Sequence, residues 1–223
     1  MPGTCAIVGI GGLGAPAAAL LATQANITLK LIDDDVVDLS NLHRQPLFGV
    51  SDIGKKKAVI AARRLLDAHA KAEIEMVTER LTPATAPQLL RNVTWVLDGS
   101  DNLATKLFLN EWSCATRTPL VHAGALGVEG QLISILPGQS ACLRCLFIDL
   151  PVDEDLPTCQ QEGVLGPVVG AIGLAAAREI SFLLRGEKPP LLGRFAILDG
   201  RTLRWRALET RRRPECLTCG GLA

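Results

Sequence analysis

The chain has 223 residues, 48% of them apolar and 21% charged, with 23 basic residues balanced by 23 acidic ones. That length can bury a sizeable core in one large domain, and a net charge of zero argues against broad attraction to nucleic acid or an anionic membrane. Tyrosine is absent and tryptophan scarce, so stacking platforms for single-stranded nucleic acid are not expected.

The first stretch is the most informative. Cys5 to Val8 is a short apolar run that reads as a buried strand. Gly9, Gly11, Gly12 and Gly14 then make a tight turn, and an alanine- and leucine-rich segment to about Thr23 reads as a helix. Strand, Gly-x-Gly-x-x-Gly, helix is the arrangement that brings backbone N–H groups and a helix N-terminus to a phosphate. Dehydrogenases and other nucleotide binders share this pattern, so it does not choose among them. The same 25 residues resemble a signal peptide in outline. They lack a basic start, however, and glycines interrupt the apolar stretch, so a cytoplasmic location is expected.

Ile27 to Ile32 reads as a second strand, running into Asp33-Asp34-Asp35. A carboxylate there, about twenty residues after the glycines, lies where a nucleotide ribose would sit. An NAD-dependent enzyme fits equally well to this point. The polar stretch from Val37 to Gln45 and the helix opening at Gly54-Lys55-Lys56-Lys57 separate the readings. Arg44 and Lys57 bring cations toward the phosphate turn, which suits transfer at phosphorus and which hydride transfer does not need. Either cluster alone would pass for a solvated loop or a lysine-rich helix end.

Glu73 to Thr78 alternates as a strand, Pro83 to Leu90 reads as a short helix, and Thr94 to Leu97 as a buried strand. That last strand ends in Asp98-Gly99-Ser100-Asp101-Asn102, and a helix follows to about Ala115. Asp101 is placed to hold Mg²⁺, which prefers oxygen ligands; the plainer alternative is that Asp101 or Ser100 caps the helix. Leu120 to Ala123 and Val128 to Leu136 read as further strands, where the βα alternation stops and the sheet is expected to become mixed.

Cys142-x-x-Cys145 and Cys216-x-x-Cys219 suggest one tetrahedral Zn²⁺ site of four thiolates. Two disulfides or a redox pair are the alternatives, which a reducing compartment and the lack of a thioredoxin-like context disfavour. Between the pairs, Asp149 to Gly163 is rich in Pro, Asp and Glu and reads as an exposed loop carrying Cys159, which is either a nucleophile or an incidental thiol. Cys5 and Cys114 read as buried. Leu165 to Leu184 forms a long apolar helix that Arg178 and Glu179 make too polar for a membrane span, and a subunit interface would help to cover it. Arg194 to Leu198 and Leu203 to Leu208 form a closing hairpin.

Taken in order, several of these motifs resemble the MoeB/ThiF/HesA family, bacterial relatives of ubiquitin-activating enzymes. They are Gly9-x-Gly11-Gly12-Leu13-Gly14, Asp33-x-Asp35, Ser40-Asn41-Leu42-x-Arg44-Gln45, Gly54-x-x-Lys57, Asp98-x-x-Asp101-Asn102 and the two cysteine pairs. The match covers essentially the whole chain. It implies an α/β fold with a Rossmann-like, mostly parallel sheet extended by antiparallel strands and carrying a four-cysteine zinc site. It also implies one adenylation domain over 1–223, with a nucleotide-binding half (1–125) and a carrier-binding, zinc and dimerisation half (126–223).

The implied reaction is ATP-dependent adenylation of the C-terminal Gly-Gly carboxylate of a ubiquitin-like sulfur-carrier protein, leading to a thiocarboxylate for thiamine or molybdopterin synthesis. By the resemblance, Asp33, with Asp35, holds the ribose. Asn41, Arg44 and Lys57 contact the phosphates, Asp101 holds Mg²⁺, and Cys142, Cys145, Cys216 and Cys219 bind zinc. Cys159 matches the loop cysteine that in ThiF-like members forms a covalent sulfur link to the carrier. A homodimer is implied, with a sulfurtransferase or cysteine desulfurase as a further partner, and neither nucleic acid nor membrane. Family members carry an arm before the first strand that brings an arginine to the partner subunit's ATP site. Here the first strand starts at about Thr4 and no arm is expected, which keeps a non-catalytic adaptor for a ubiquitin-like carrier as the alternative.

Overall fold

The computed structural model describes residues 2–148 and 163–222. They build one eight-stranded sheet in the order β3-β2-β1-β4-β5-β6-β7-β8. The first five strands in chain order are β1 (Gly3–Val8), β2 (Ile27–Ile32), β3 (Glu73–Val77), β4 (Trp95–Asp98) and β5 (Leu120–Leu126), and they pair in parallel. The last three, β6 (Glu129–Ile135), β7 (Arg194–Asp199) and β8 (Arg204–Glu209), add on antiparallel. The mixed sheet expected where the βα alternation stops is therefore present.

The central strands run apolar because helices cover both faces. On one face lie α1 (Gly14–Leu21), α2 (Lys57–Asp67) and α6 (Gly166–Leu184), packed over Ile7, Leu29, Leu31, Leu97, Val121 and Leu132. The opposite face presents Ala6, Val8, Val96, Leu120, Ile133 and Ile135. It is covered by α3 (Ala86–Leu89), α4 (Leu103–Thr116), α5 (Leu143–Leu146) and the C-terminal tail. Alternate side chains along each strand thus enter two separate cores. The edges are different: β3 carries Glu73 and Glu75, and every residue of β8 is exposed, including Trp205 and Leu208.

Helix α6 has 19 residues and a mean hydropathy of 1.5, long and apolar enough by composition to cross a membrane. In this fold it is a core helix. Val168, Ile172, Ala176 and Ile180 are fully or almost fully buried against α1 and the sheet. A Cβ on Gly173 would overlap the Leu13 carbonyl, so only glycine permits this close crossing of α6 over the start of α1. Glu179, buried on the same helix, accepts hydrogen bonds from Ser134 Oγ (2.8 Å) and the Leu191 N–H (2.9 Å). Leu174 stays about half exposed, which is the part of the helix still lacking cover.

Candidate active site

The C-terminal ends of the parallel strands open onto a cavity of about 580 Å³, within the range of small-molecule sites. Gly9, Gly11 and Gly12 form its floor. Gly9 needs glycine because its φ is +83°. Gly14 does not line the cavity; it lies against the Gly9 carbonyl, where any Cβ would overlap it. The turn therefore folds back on itself and delivers the chain into α1. No side chain caps α1 among the described residues, so its N-terminal N–H groups are left for a ligand.

Asp33 lines the cavity but already has local partners. Its Oδ2 accepts the Ile10 N–H at 2.6 Å and its Oδ1 the Asp35 N–H at 2.8 Å. It ties the end of β2 to the glycine turn, and a ribose would have to share its lone pairs. Burial pushes its carboxyl up, partly countered by nearby Lys57 and these two N–H groups. Asp35 is exposed and pairs with Lys57, Nζ to Oδ2, at 2.9 Å. Lys57, unlike its neighbours Lys55 and Lys56, is almost fully buried, and it opens α2. The lysine run is thus one interior cation and two solvated ones.

Arg44 also lines the cavity. Its Nη1 donates to the Ser40 carbonyl at 3.1 Å, which leaves much of the guanidinium fork for an anion. Asn41 does not line the cavity; its Oδ1 accepts from Gln45 Nε2 at 2.9 Å and from Arg44 Nη2 at 3.5 Å, steering both. Gln45 is a cavity residue that the motif reading left without a role. It is almost fully buried, and its Oε1 has no hydrogen-bond partner among the described residues. Such an orphaned acceptor marks a place for a bound group or water.

On the far wall stands Asp101, exposed, with a side chain that has no hydrogen-bonding or ionic partner among the described residues. Neither Asp101 nor Ser100 caps the following helix. Asn102 does, its Oδ1 accepting the Thr105 N–H at 2.8 Å. That correction leaves the Asp101 carboxylate available for a hard cation, and the donor type suits Mg²⁺.

Behind Asp101 is a cluster with no signature in the sequence. Asp98, fully buried at the end of β4, accepts from Ser100 Oγ (2.6 Å) and His122 Nδ1 (2.7 Å), with Lys106 Nζ at 3.4 Å. Burial alone would raise its carboxyl, but Lys106, His122 and Ser100 outweigh that and hold it at about 2. Burial, then the Lys106 charge, push His122 down. His122 is therefore neutral near pH 7, and its Nδ1 carries the hydrogen, because an ionised carboxylate only accepts. A lone histidine in an apolar strand gives no periodic signal, so only tertiary contact reveals it.

On the second core's side, Cys142, Cys145, Cys216 and Cys219 converge with their Sγ atoms all within 4.8 Å of one another. The separations 142–145, 142–216 and 145–219 are 4.0, 3.7 and 3.3 Å. Ideal tetrahedral Zn–S bonds would give about 3.8 Å, so four buried thiolates fit such an ion. None of the described cysteines is in a disulfide, and Cys5 and Cys114 are buried as expected. Arg212 clamps the tail, donating to the carbonyls of Gly138 (2.6 Å) and Cys219 (2.8 Å) and to that of Leu222. Cys159 lies outside the described residues.

A parallel sheet whose first glycine turn feeds an uncapped helix, facing two cations and a free carboxylate across one crevice, defines a nucleotide-binding α/β protein. Comparison narrows the class. The profile of the ThiF family matches residues 3–218, and the chain belongs to that family. It is 40% identical over 216 residues to the sulfur carrier protein ThiS adenylyltransferase of Escherichia coli K12, covering 96% of this chain and 85% of that protein. It is also 40% identical over 214 residues to the adenylyltransferase and sulfurtransferase MOCS3 of Drosophila ananassae, covering 96% of this chain but only 48% of that protein. Among solved structures, E. coli MccB with ATP superposes with a TM-score of 0.84 at 21% identity. That match covers 98% of this chain and 66% of MccB, and it speaks for the fold alone.

Proposed function

We propose that this chain is a cytoplasmic ATP-dependent adenylyltransferase acting on the C-terminal Gly-Gly carboxylate of a ubiquitin-like sulfur-carrier protein. The observation that carries this reading is the convergence of the glycine turn, Arg44, Lys57 and Asp101 on one cavity, in a chain 40% identical to a ThiS adenylyltransferase. The reaction joins a carrier carboxylate oxygen to the α-phosphorus of ATP. The bond to the bridging oxygen breaks and pyrophosphate leaves. The carboxylate is ionised at neutral pH, so no general base is required. The difficulty is charge: two anions must meet. The N–H groups of the glycine turn and α1 hold phosphate, and Arg44 and Lys57 offset the repulsion. Asp101 would hold Mg²⁺, which when bound neutralises phosphate charge. Catalysis is then positioning and electrostatics.

The four-cysteine set is assigned to a structural Zn²⁺ that pins the C-terminal tail. Residues 1–125 supply the nucleotide site, and 126–223 the carrier, zinc and dimer contacts. A second copy would cover the exposed part of α6. The product feeds thiocarboxylate formation for thiamine or molybdopterin synthesis, with a sulfurtransferase or cysteine desulfurase as sulfur donor.

ATP–pyrophosphate exchange with carriers ending in Gly-Gly tests this reading. Exchange that depends on one carrier supports it and identifies the pathway. ATP binding without exchange for any carrier would replace it with the adaptor reading. Cys159 is assigned to the later sulfur step. Cys159→Ala is therefore expected to retain exchange and to lose any covalent carrier adduct seen by mass spectrometry, and a large fall in exchange would contradict the assignment.

A further inference from the structure

Asp101 has nothing of its own to hold it: its side chain is exposed and has no partner among the described residues. Its direction must come from the backbone on either side. On the C-terminal side, Asn102 caps α4 through Thr105. On the N-terminal side, Asp98 folds the chain back, its Oδ1 accepting both the Ser100 N–H (3.0 Å) and the Ser100 hydroxyl (2.6 Å). Between them, Gly99 donates to the Val8 carbonyl at 2.9 Å. A Cβ on Gly99 would sit 3.0 Å from both Gly14 N and Gly9 O, so the turn rests directly on the glycine loop.

An anion buried this deeply needs partners on its other oxygen. His122 from β5 and Lys106 from α4 supply them, and Lys106 is itself fixed by the Ala123 carbonyl at 2.7 Å. Lys106 also lines the cavity. One carboxylate therefore ties β4, β5 and α4 together immediately behind the turn that presents Asp101.

We propose that Asp98 is a positioning residue for the active site: held by His122 and Lys106, it fixes the Gly99–Ser100 turn so that Asp101 meets a nucleotide-bound divalent cation. The inference rests on the adenylation reading only in taking Asp101 as a metal ligand. It makes no claim that Asp98 touches substrate. Outer partners of this kind change metal affinity about 10- to 100-fold when removed, without having to change how the nucleotide itself is held.

The test measures Mn²⁺ binding by electron paramagnetic resonance with a non-hydrolysable ATP analogue present, and separately the analogue's affinity without metal. Melting temperature and zinc content serve as folding controls. Asp98→Asn keeps the shape and an acceptor for Ser100 but removes the charge that holds Lys106. It is expected to weaken Mn²⁺ binding about tenfold or more, with the metal-free analogue affinity little changed. Ser100→Ala removes only the hydroxyl contact and is expected to give a smaller loss in the same direction. Unchanged Mn²⁺ affinity in a folded Asp98→Asn variant would overturn the inference. If that variant does not fold, unchanged affinity in Ser100→Ala would overturn it. Equal loss of metal and analogue binding would also overturn it, since that is what general loosening of the site produces. Wild-type protein that binds the Mn²⁺–analogue pair but shows no carrier-dependent exchange would remove the adenylation reading, and the positioning role would still be decided by the two variants.

Discussion

Asp101→Ala is expected to reduce carrier-dependent pyrophosphate exchange by about 100-fold or more while leaving the melting temperature where it was. The two halves of that result have separate causes. The activity loss follows from chemistry: a divalent cation on the phosphates is worth several kcal/mol of transition-state charge stabilisation, and each 1.4 kcal/mol or so is a factor of ten in rate. The unchanged stability follows from the surroundings. The Asp101 side chain is exposed and unpartnered among the described residues, and Asn102 rather than Asp101 caps α4. Exposed substitutions away from caps and buried networks usually stay within about 0.5 kcal/mol. Initial-rate exchange assays and a thermal melt on the same preparation check both. Exchange at the wild-type rate would remove Asp101 from the site. A large fall in melting temperature would show that its role is structural instead.

The contrast between Asp101 and Asp98 shows what was legible in the sequence and what was not. The doubly wound order, the antiparallel extension and the convergence of two distant cysteine pairs all follow from patterns carried along the chain. Those patterns are apolar runs of strand length, glycine at the turns and Cys-x-x-Cys spacing. The strand Ile27–Ile32 matches residue for residue. Arg44, Lys57 and Asp101 were legible because a charged residue at the C-terminal rim of a parallel sheet faces the ligand crevice.

What the sequence hides is which polar groups have already been satisfied by one another. Asp33 reads as a ribose ligand, yet both its oxygens are occupied by backbone N–H groups. Lys57 reads as a free cation, yet it is paired with Asp35. Asp98 sits in plain view beside Asp101, but its role depends on His122, 24 positions along the chain, and on Lys106, one helix away. Gln45 and its orphaned acceptor likewise emerge only once Asn41 is seen to hold its amide. Pairing across strands and helices has no spacing rule, and so these four sites had to be read from contacts.

Removing the metal from the four-cysteine site is expected to lower the melting temperature by roughly 6–12 °C, the shift that about 3 kcal/mol produces in a domain of this size. The starting point is that Cys142, Cys145, Cys216 and Cys219 are all buried in the second core, beside Leu143, Phe147 and Phe195. Without an ion, four close thiols share a pocket built to tetrahedral spacing, and the link between α5 and the tail is lost. The full binding energy of a structural zinc, about 10 kcal/mol or more in isolated fingers, sets an upper bound that should not be reached. The tail can detach while the eight-stranded sheet stays folded, because the first core has no cysteine ligand in it. Arg212, which holds the carbonyls of Gly138 and Cys219, would keep part of the tail in place. None of the four cysteines lines the nucleotide cavity, so the affinity for an ATP analogue below the transition should be preserved. The measurement is a melt and an analogue titration before and after chelation under reducing conditions, with metal content verified. Cys216→Ser is expected to reproduce the melting shift. An unchanged melting temperature after verified metal loss would show that packing and the Arg212 clamp hold the tail without the ion. Loss of analogue binding at low temperature would show instead that the tail supports the nucleotide site through Phe195, which lies in the second core and also lines the cavity.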